Sequence, residues 1–180
     1  MSITTVNYFE LFDIPVDFQV DLTQLTSCYQ TLQKTVHPDK FAHASEQEQR
    51  IAVQKSAQIN DAYQTLKNPL QRAEYLLVER GLEMPNEQHS FSDNSFLMRQ
   101  MELREMLAEV KFADDIDAAL EAAQSELDSE YQTLFTLLQK QLAENTTETN
   151  QLACDNLRKL KFYQKLNVEV ERLEESLFDD

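Results

Sequence analysis

Apolar residues recur at helical spacing along almost the whole chain, and the places where that pattern breaks mark its elements. A short aromatic segment, Tyr8 to Phe12, comes first, and Pro15 follows it. Asp21 with Gln24 reads as a capping box opening a helix on which Leu22, Leu25, Tyr29, Leu32 and Val36 share a face. Pro38 stops that helix, because the residue before a proline is pushed out of the αR region and proline has no N–H to donate. After a loop of about eight residues, Ser45 with Glu48 forms a second capping box, and Ile51, Ile59, Tyr63 and Leu66 line the next helix. Asn68-Pro69 ends it and caps another through Ala73, Leu76 and Leu77, with Gly81 placed to sit just past its C-terminus. Residues 1–81 thus read as a first unit, an antiparallel helical hairpin with short flanking helices.

Residues 82–94 hold Pro85, Asn86, Ser90, Ser92 and Asp93, the composition of a linker. Three helical stretches follow, near Ser95 to Phe112, Asp114 to Ala143 and Thr149 to Leu177, with Asn145 to Asn150 as a polar turn. On the second, Ile116, Leu120, Ala123, Leu127, Leu134, Leu138 and Leu142 make a seam close to a heptad. Residues 95–180 read as an antiparallel three-helix bundle, and the fold class is all-α. One glycine and four prolines in 180 residues agree, since hairpin-rich β folds lean on both for their turns. That single glycine also excludes the dinucleotide fingerprint, the P-loop and the nucleophile elbow, each of which needs at least two.

Charge narrows the partners. A formal net charge of −16 repels polyanions, so nucleic acid and anionic membrane are excluded as partners. No stretch is apolar enough to span a membrane, and no basic segment followed by an apolar run opens the chain, which points to a soluble cytoplasmic protein. Cys28 and Cys154 lie far apart without CxxC spacing and are expected to be reduced thiols rather than a disulfide or a zinc site. Residues 1–80 carry 7 basic and 10 acidic groups and residues 81–180 carry 9 and 22, so the acidity belongs mainly to the bundle. Solvated helix faces explain it in the simplest case.

The tripeptide His37-Pro38-Asp39, followed by Lys40, falls between two antiparallel helices. Read from residues alone it is an ordinary turn, or a His–carboxylate pair suited to general-base chemistry. The intervening proline and the lack of any attached Ser or Cys nucleophile argue against catalysis, and His43 and His89 show no metal spacing and read as solvent-facing loop residues. In its helical context the tripeptide resembles the signature of the J-domain. The likeness continues through Phe41-Ala42, Gln54-Lys55-Ser56-Ala57, Ile59-Asn60, Asn68-Pro69-Leu70 and Arg72 to Leu77, then Phe96-Leu97-Met98, Glu102 to Glu105 and Arg158 to Phe162. Over nearly its whole length the chain resembles the J-type co-chaperones of bacterial iron–sulfur cluster assembly.

That resemblance implies an L-shaped, two-domain helical monomer that is not an enzyme and holds no metal or other cofactor. It implies that the J-domain stimulates ATP hydrolysis by a dedicated DnaK-class heat-shock chaperone (HscA-like), with His37, Pro38 and Asp39 contacting the ATPase domain. It implies too that the bundle presents a cluster scaffold protein (IscU-like). Lys40 and Lys34 are expected to help chaperone docking. Lys34 is the only Lys or Arg on the helix before the tripeptide, where J-domains carry a basic stripe, so electrostatic steering should be weak unless Arg50 and Lys55 add to it.

The helix after the linker carries a signal of its own. At about 100° per residue, Phe96, Leu103, Leu107 and Val110 fall in one sector with Met106 at its edge, whereas Leu97, Met98 and Met101 point roughly 100° to 160° away, beside Glu102, Glu105 and Glu109. A three-helix bundle has no second core there, so this face is either a scatter of exposed apolar residues or a partner site. In the last helix Leu157, Leu160, Tyr163 and Val170 follow the seam and Phe162 projects about 100° off it, which would let it join that face. By resemblance Leu97, Met98, Met101 and Phe162 are the scaffold contacts, with Glu102, Glu105 and Glu109 as an acidic rim. The resemblance puts the iron–sulfur co-chaperone first, with a J-domain adaptor for another client as the alternative and a passive acidic helical scaffold as a third reading.

Overall fold

The computed structural model describes residues 6–84, 91 and 93–178; much of the 82–94 linker, with His89, Pro85, Asn86, Ser90 and Ser92, lies outside them. Seven α-helices and two 3-10 turns account for the secondary structure of the described residues. The chain divides into two compact units, residues 1–81 and 82–180.

In the first unit, α1 (Tyr8–Leu11) is tied down when Tyr8 stacks on Tyr75 at 4.5 Å between ring centroids and its N–H donates to the Tyr75 hydroxyl at 2.9 Å. Helices α2 (Leu22–Val36) and α3 (Glu46–Lys67) form the antiparallel hairpin, and α4 (Pro69–Glu79) follows. Phe9, Phe12, Phe18, Leu25, Ile59, Tyr63, Leu66 and Leu76 are buried. Two expected core positions are not: Leu22 and Ile51 face solvent, and Ala52 is buried in place of Ile51. Leu22 is the first residue of α2 and Ile51 sits one position before the buried Ala52, differences that hydrophobicity alone does not resolve. Asp21 caps α2 by accepting from the Thr23 and Gln24 N–H groups without the reciprocal Gln24 bond, whereas Ser45 and Glu48 close a full capping box. Arg72 is buried, donates to the Phe18 and Leu66 carbonyls at 2.7 Å each and lies over the Phe18 ring, tying the loop before α2 to the end of α3. Burial lowers its pKa, because desolvation opposes the guanidinium's charge. Gly81, at φ +86, ends α4 in the left-handed region where a Cβ would be strained.

In the second unit α5 (Asn94–Glu109) runs into a 3-10 turn, Val110–Phe112, and α6 (Ile116–Glu144) and α7 (Thr147–Phe178) form a long hairpin. The turn between them is tighter than the polar run from Asn145 to Asn150 suggests: Asn145 alone takes a left-handed conformation (φ 49), and Thr146 and Thr149 exchange bonds that start α7 at once. A buried Asn156–Gln141 bond of 2.8 Å fixes the register of the hairpin. Phe96, Leu103, Leu107, Val110, Leu120, Leu127, Tyr163, Leu166 and Val170 form one buried cluster, with Met106, Ile116 and Leu134 partly buried against it. No helix among the described residues is long and apolar enough to cross a membrane.

Asp93, which belongs to the linker by composition, is the cap of α5. One carboxylate oxygen accepts from the Ser95 and Phe96 N–H groups and the other takes the Lys159 ammonium of α7 at 2.8 Å, while that ammonium lies 5.1 Å from the centroid of Phe96. The bond to Lys159, then those from Ser95 and Phe96, hold the Asp93 carboxyl well below the usual aspartate range. With the folded pKa depressed, the stabilisation is complete above the unfolded value of about 4 and fades as acid protonates the unfolded chain first. Asparagine can still cap, so Asp93→Asn isolates the charge. We expect its urea midpoint to lie below wild type at about pH 7 and the gap to narrow at about pH 3; a gap that stays constant would remove the Asp93 charge from the anchoring of α5.

Candidate functional site

The tripeptide of the first unit is shaped by its proline. His37 is held extended (φ −56, ψ 128) at the end of α2, and Pro38 then opens a 3-10 turn, Pro38–Phe41, where a longer irregular loop was expected. The Asp39 N–H donates to His37 Nδ1 at 3.3 Å, and the Lys40 N–H to the His37 carbonyl at 3.0 Å. Nδ1 is therefore the accepting nitrogen, and the neutral ring carries its proton on Nε2. The Asp39 carboxylate lies 3.5 Å from Nδ1, with the Asp39 side chain 90% exposed and that of His37 55%. Gln49 of α3 donates to the Ala42 and Ala44 carbonyls and fixes the segment from behind. Backbone geometry rather than burial thus presents these residues. Lys34 and Lys40 are also exposed, Pro38 is partly buried, and His43 is exposed.

Gln33 accounts for one departure from a basic stripe. Its amide donates to the Ser56 carbonyl and accepts from the Ser56 hydroxyl, so this position zips α2 to α3 instead of offering charge to solvent. Tyr29 and Tyr63 stack at 4.0 Å beside it, and the hairpin is rigid where it leads into the turn.

On α5 the structure separates three faces. Phe96, Leu103 and Leu107 are buried, whereas Met98 is 64% and Met101 73% exposed, and Leu97 is partly so. On the flank, Arg99 reaches α6: its Nε donates to Glu130 at 3.0 Å, one terminal nitrogen pairs with Glu126 and Glu130, and the other bonds Glu102 at 2.9 Å. Glu130 also accepts from the Tyr163 hydroxyl of α7, so one carboxylate joins all three helices. Burial would raise Glu130, but the bonds from Arg99 and Tyr163 outweigh it and its pKa falls; Arg99 is raised, chiefly by Glu130. Burial, with Glu130 beside it, pushes the Tyr163 phenol up.

Two expected site residues make contacts within the bundle that the sequence did not show. Glu102 is exposed but already paired with Arg99, because the three-residue step along the helix brings them together; Glu105 and Glu109 are exposed and make no ion pair among the described residues. Phe162 does not stand clear of the bundle. It is partly buried, edge-on to Phe96 at 5.6 Å, and the Arg104 guanidinium lies 5.7 Å from its centroid while pairing with Glu169 of the same helix. A projection of 100° from the seam leaves a large ring still able to lean onto the core, which an angular reading of backbone positions does not capture. Phe162→Ala would therefore cost folding free energy, on the order of 1 to 3 kcal/mol, as well as any partner contact. Arg99 and Lys159 are positioning residues that sequence reasoning did not single out, and Tyr163, read there only as a seam residue, adds its hydroxyl to them. Their partners on other helices lie 27 to 66 positions away.

Among the described residues no group of three or more His, Cys, Asp or Glu could hold a metal ion. The arrangement is one of surfaces: a rigid, polar turn in the first unit and an apolar face flanked by carboxylates in the second.

Comparison with known proteins agrees with that division. The family model for the DnaJ domain matches residues 7–75, and that for the HSCB C-terminal oligomerisation domain matches residues 92–171. A co-chaperone protein HscB homolog of Colwellia psychrerythraea is 73% identical over 97% of this chain and 100% of its own length. The solved structure of chaperone HscB from Vibrio cholerae is 50% identical, with a TM-score of 0.91, covering 96% of this chain and 100% of that one. Human co-chaperone protein HscB is 30% identical with a TM-score of 0.86, covering 96% of this chain and 84% of that one. A J-domain turn on one unit, the bundle on the other and identity along nearly the full length lead to one conclusion: the chain belongs to the HscB family of J-domain co-chaperones.

Proposed function

We propose that the chain is a non-enzymatic co-chaperone of iron–sulfur cluster assembly, in which the J-domain (residues 1–81) stimulates ATP hydrolysis by a DnaK-class chaperone and the bundle (residues 95–180), after the 82–94 linker, delivers the cluster scaffold protein. The cluster and the nucleotide belong to the partners. The observation that carries this reading is a J-domain turn joined in one chain to a bundle whose first helix leaves Met98 and Met101 largely exposed on a face that no helix of the bundle covers. Leu97, Met98 and Met101 would supply the apolar contacts, Glu105 and Glu109 the free part of the acidic rim, and Glu102 and Phe162 its two supported edges. Cys28 and Cys154 are free thiols, in keeping with action in the reducing cytoplasm. Lys34 and Lys40 would guide docking of the chaperone, and His37, Pro38 and Asp39 would contact its ATPase domain.

His37 acts across the interface in this reading, since its side chain is half exposed and its contacts among the described residues are with its neighbour Asp39. We expect His37→Gln to keep the helical circular dichroism of wild type while steady-state ATP turnover by the chaperone loses its stimulation, by about tenfold or more. Full stimulation by a folded variant would refute the J-domain mechanism.

The α5 face generates a second expectation. Burying each Leu or Met side chain contributes about 1.5 to 3 kcal/mol, so Leu97→Ala/Met98→Ala/Met101→Ala should weaken scaffold binding at least about a hundredfold by calorimetry. Because two of the three are mostly exposed in the free chain, the urea midpoint should move little. Unchanged affinity would remove this face from the scaffold site.

A further inference from the structure

The large apolar residue left most open to solvent among the described residues is Phe112, 78% exposed at the end of the 3-10 turn that joins α5 to α6. It is not a stray position. Met98, Met101, Glu105 and Glu109 recur along the outward side of α5 at steps of three and four residues, and Phe112 is the next step in that series. Beside its ring opens a groove lined by Met106, Glu109, Val110, Ala113 and Ala119, apolar apart from one carboxylate. The Lys111 ammonium lies 4.9 Å from the ring centroid, so the ring already carries one cation of this chain's own. Glu109 lines the groove, and at positions close to its lining residues in the sequence Glu105, Asp114 and Asp117 are exposed; none of the four makes an ion pair among the described residues.

We infer that the Phe112 groove is a second, separate subsite of the client-binding surface: it takes an apolar side chain flanked by Lys or Arg on the same scaffold protein that covers Leu97, Met98 and Met101. The inference rests on the reading of α5 as the scaffold face. Its occupant follows from charge and continuity. One carboxylate in the groove and three more at neighbouring positions, against the single Lys111, disfavour a second copy of this acidic chain and favour a basic segment, and a client seated on the α5 face is carried to the groove by the helix itself. Phe112 would then be an aromatic anchor in the sense of an interface hot spot, entering a pocket while its own groove receives the partner.

The test is calorimetry of the full-length chain with the purified scaffold protein for Phe112→Ala, for Glu109→Gln/Asp114→Asn, and for the Leu97/Met98/Met101 triple variant as reference. We expect Phe112→Ala to weaken binding about tenfold or more, with an unchanged urea midpoint and unchanged scaffold-free stimulation of the chaperone. The charge variant should bind more weakly at low salt and lose part of the salt dependence of wild type. If Phe112→Ala binds as wild type while the triple variant does not, the groove is overturned as a subsite and the α5 reading stands; if both bind as wild type, both fall. A wild-type chain that dimerises in sedimentation, a Phe112→Ala chain that does not, and equal scaffold affinities would overturn the inference in favour of a second copy in the groove.

Discussion

A helix laid on a two-helix hairpin can bury only a stripe of its circumference, about 100° wide, and the second unit is organised by that limit. Phe96, Leu103 and Leu107 fill the stripe, so α5 needs other ties to hold its rotation about its own axis. Asp93 supplies one by capping α5 with one oxygen and binding Lys159 with the other. Arg99 supplies the next through Glu126 and Glu130, and Arg104 the third, against Phe162 and Glu169. Every basic residue on α5 is thus turned toward the bundle. What is left outward is Leu97, Met98 and Met101 with unpaired carboxylates, a face fixed in orientation by contacts on the other two sides.

The same allocation gives the net charge of −16 a local meaning. Where Glu102, Glu126, Glu130 and Glu169 meet arginine, acidity builds the bundle, and where Glu105, Glu109, Asp114 and Asp117 meet solvent, it selects what can approach. Exposed pairs contribute little stability, but excess carboxylates around an apolar face speed association with a basic partner and repel acidic ones. The J-domain solves its presentation differently. Pro38 and the Nδ1 bond hold His37 in place without burying it, so its exposure costs the fold little.

Helix periodicity made the element order, the core stripe of α5 and the two capping residues Ser45 and Asn68 legible in the sequence, because each depends on residues within four positions of one another. The tripeptide needed its flanking helices to be read at all. What stayed hidden depends on contacts between distant residues. Asp93 looked like linker until Lys159 reached it, Arg99 had no visible partner on α6 until Glu126 and Glu130 met it, and Phe162 looked exposed until its ring leaned on Phe96. Phe112 was hidden for another reason: a lone aromatic at the end of a helix gives no sign in the sequence of whether another element covers its ring.

The central claim is coupling, that one chain brings a client and an ATPase together so that each changes the other's response. The direct measurement is ATP turnover by a purified DnaK-class chaperone titrated with this chain alone, with the cluster scaffold protein alone, and with both. Coupling predicts that the two together stimulate turnover well beyond the sum of their separate effects, since bridging raises the local concentration of each partner. Stimulation that is merely additive would contradict it.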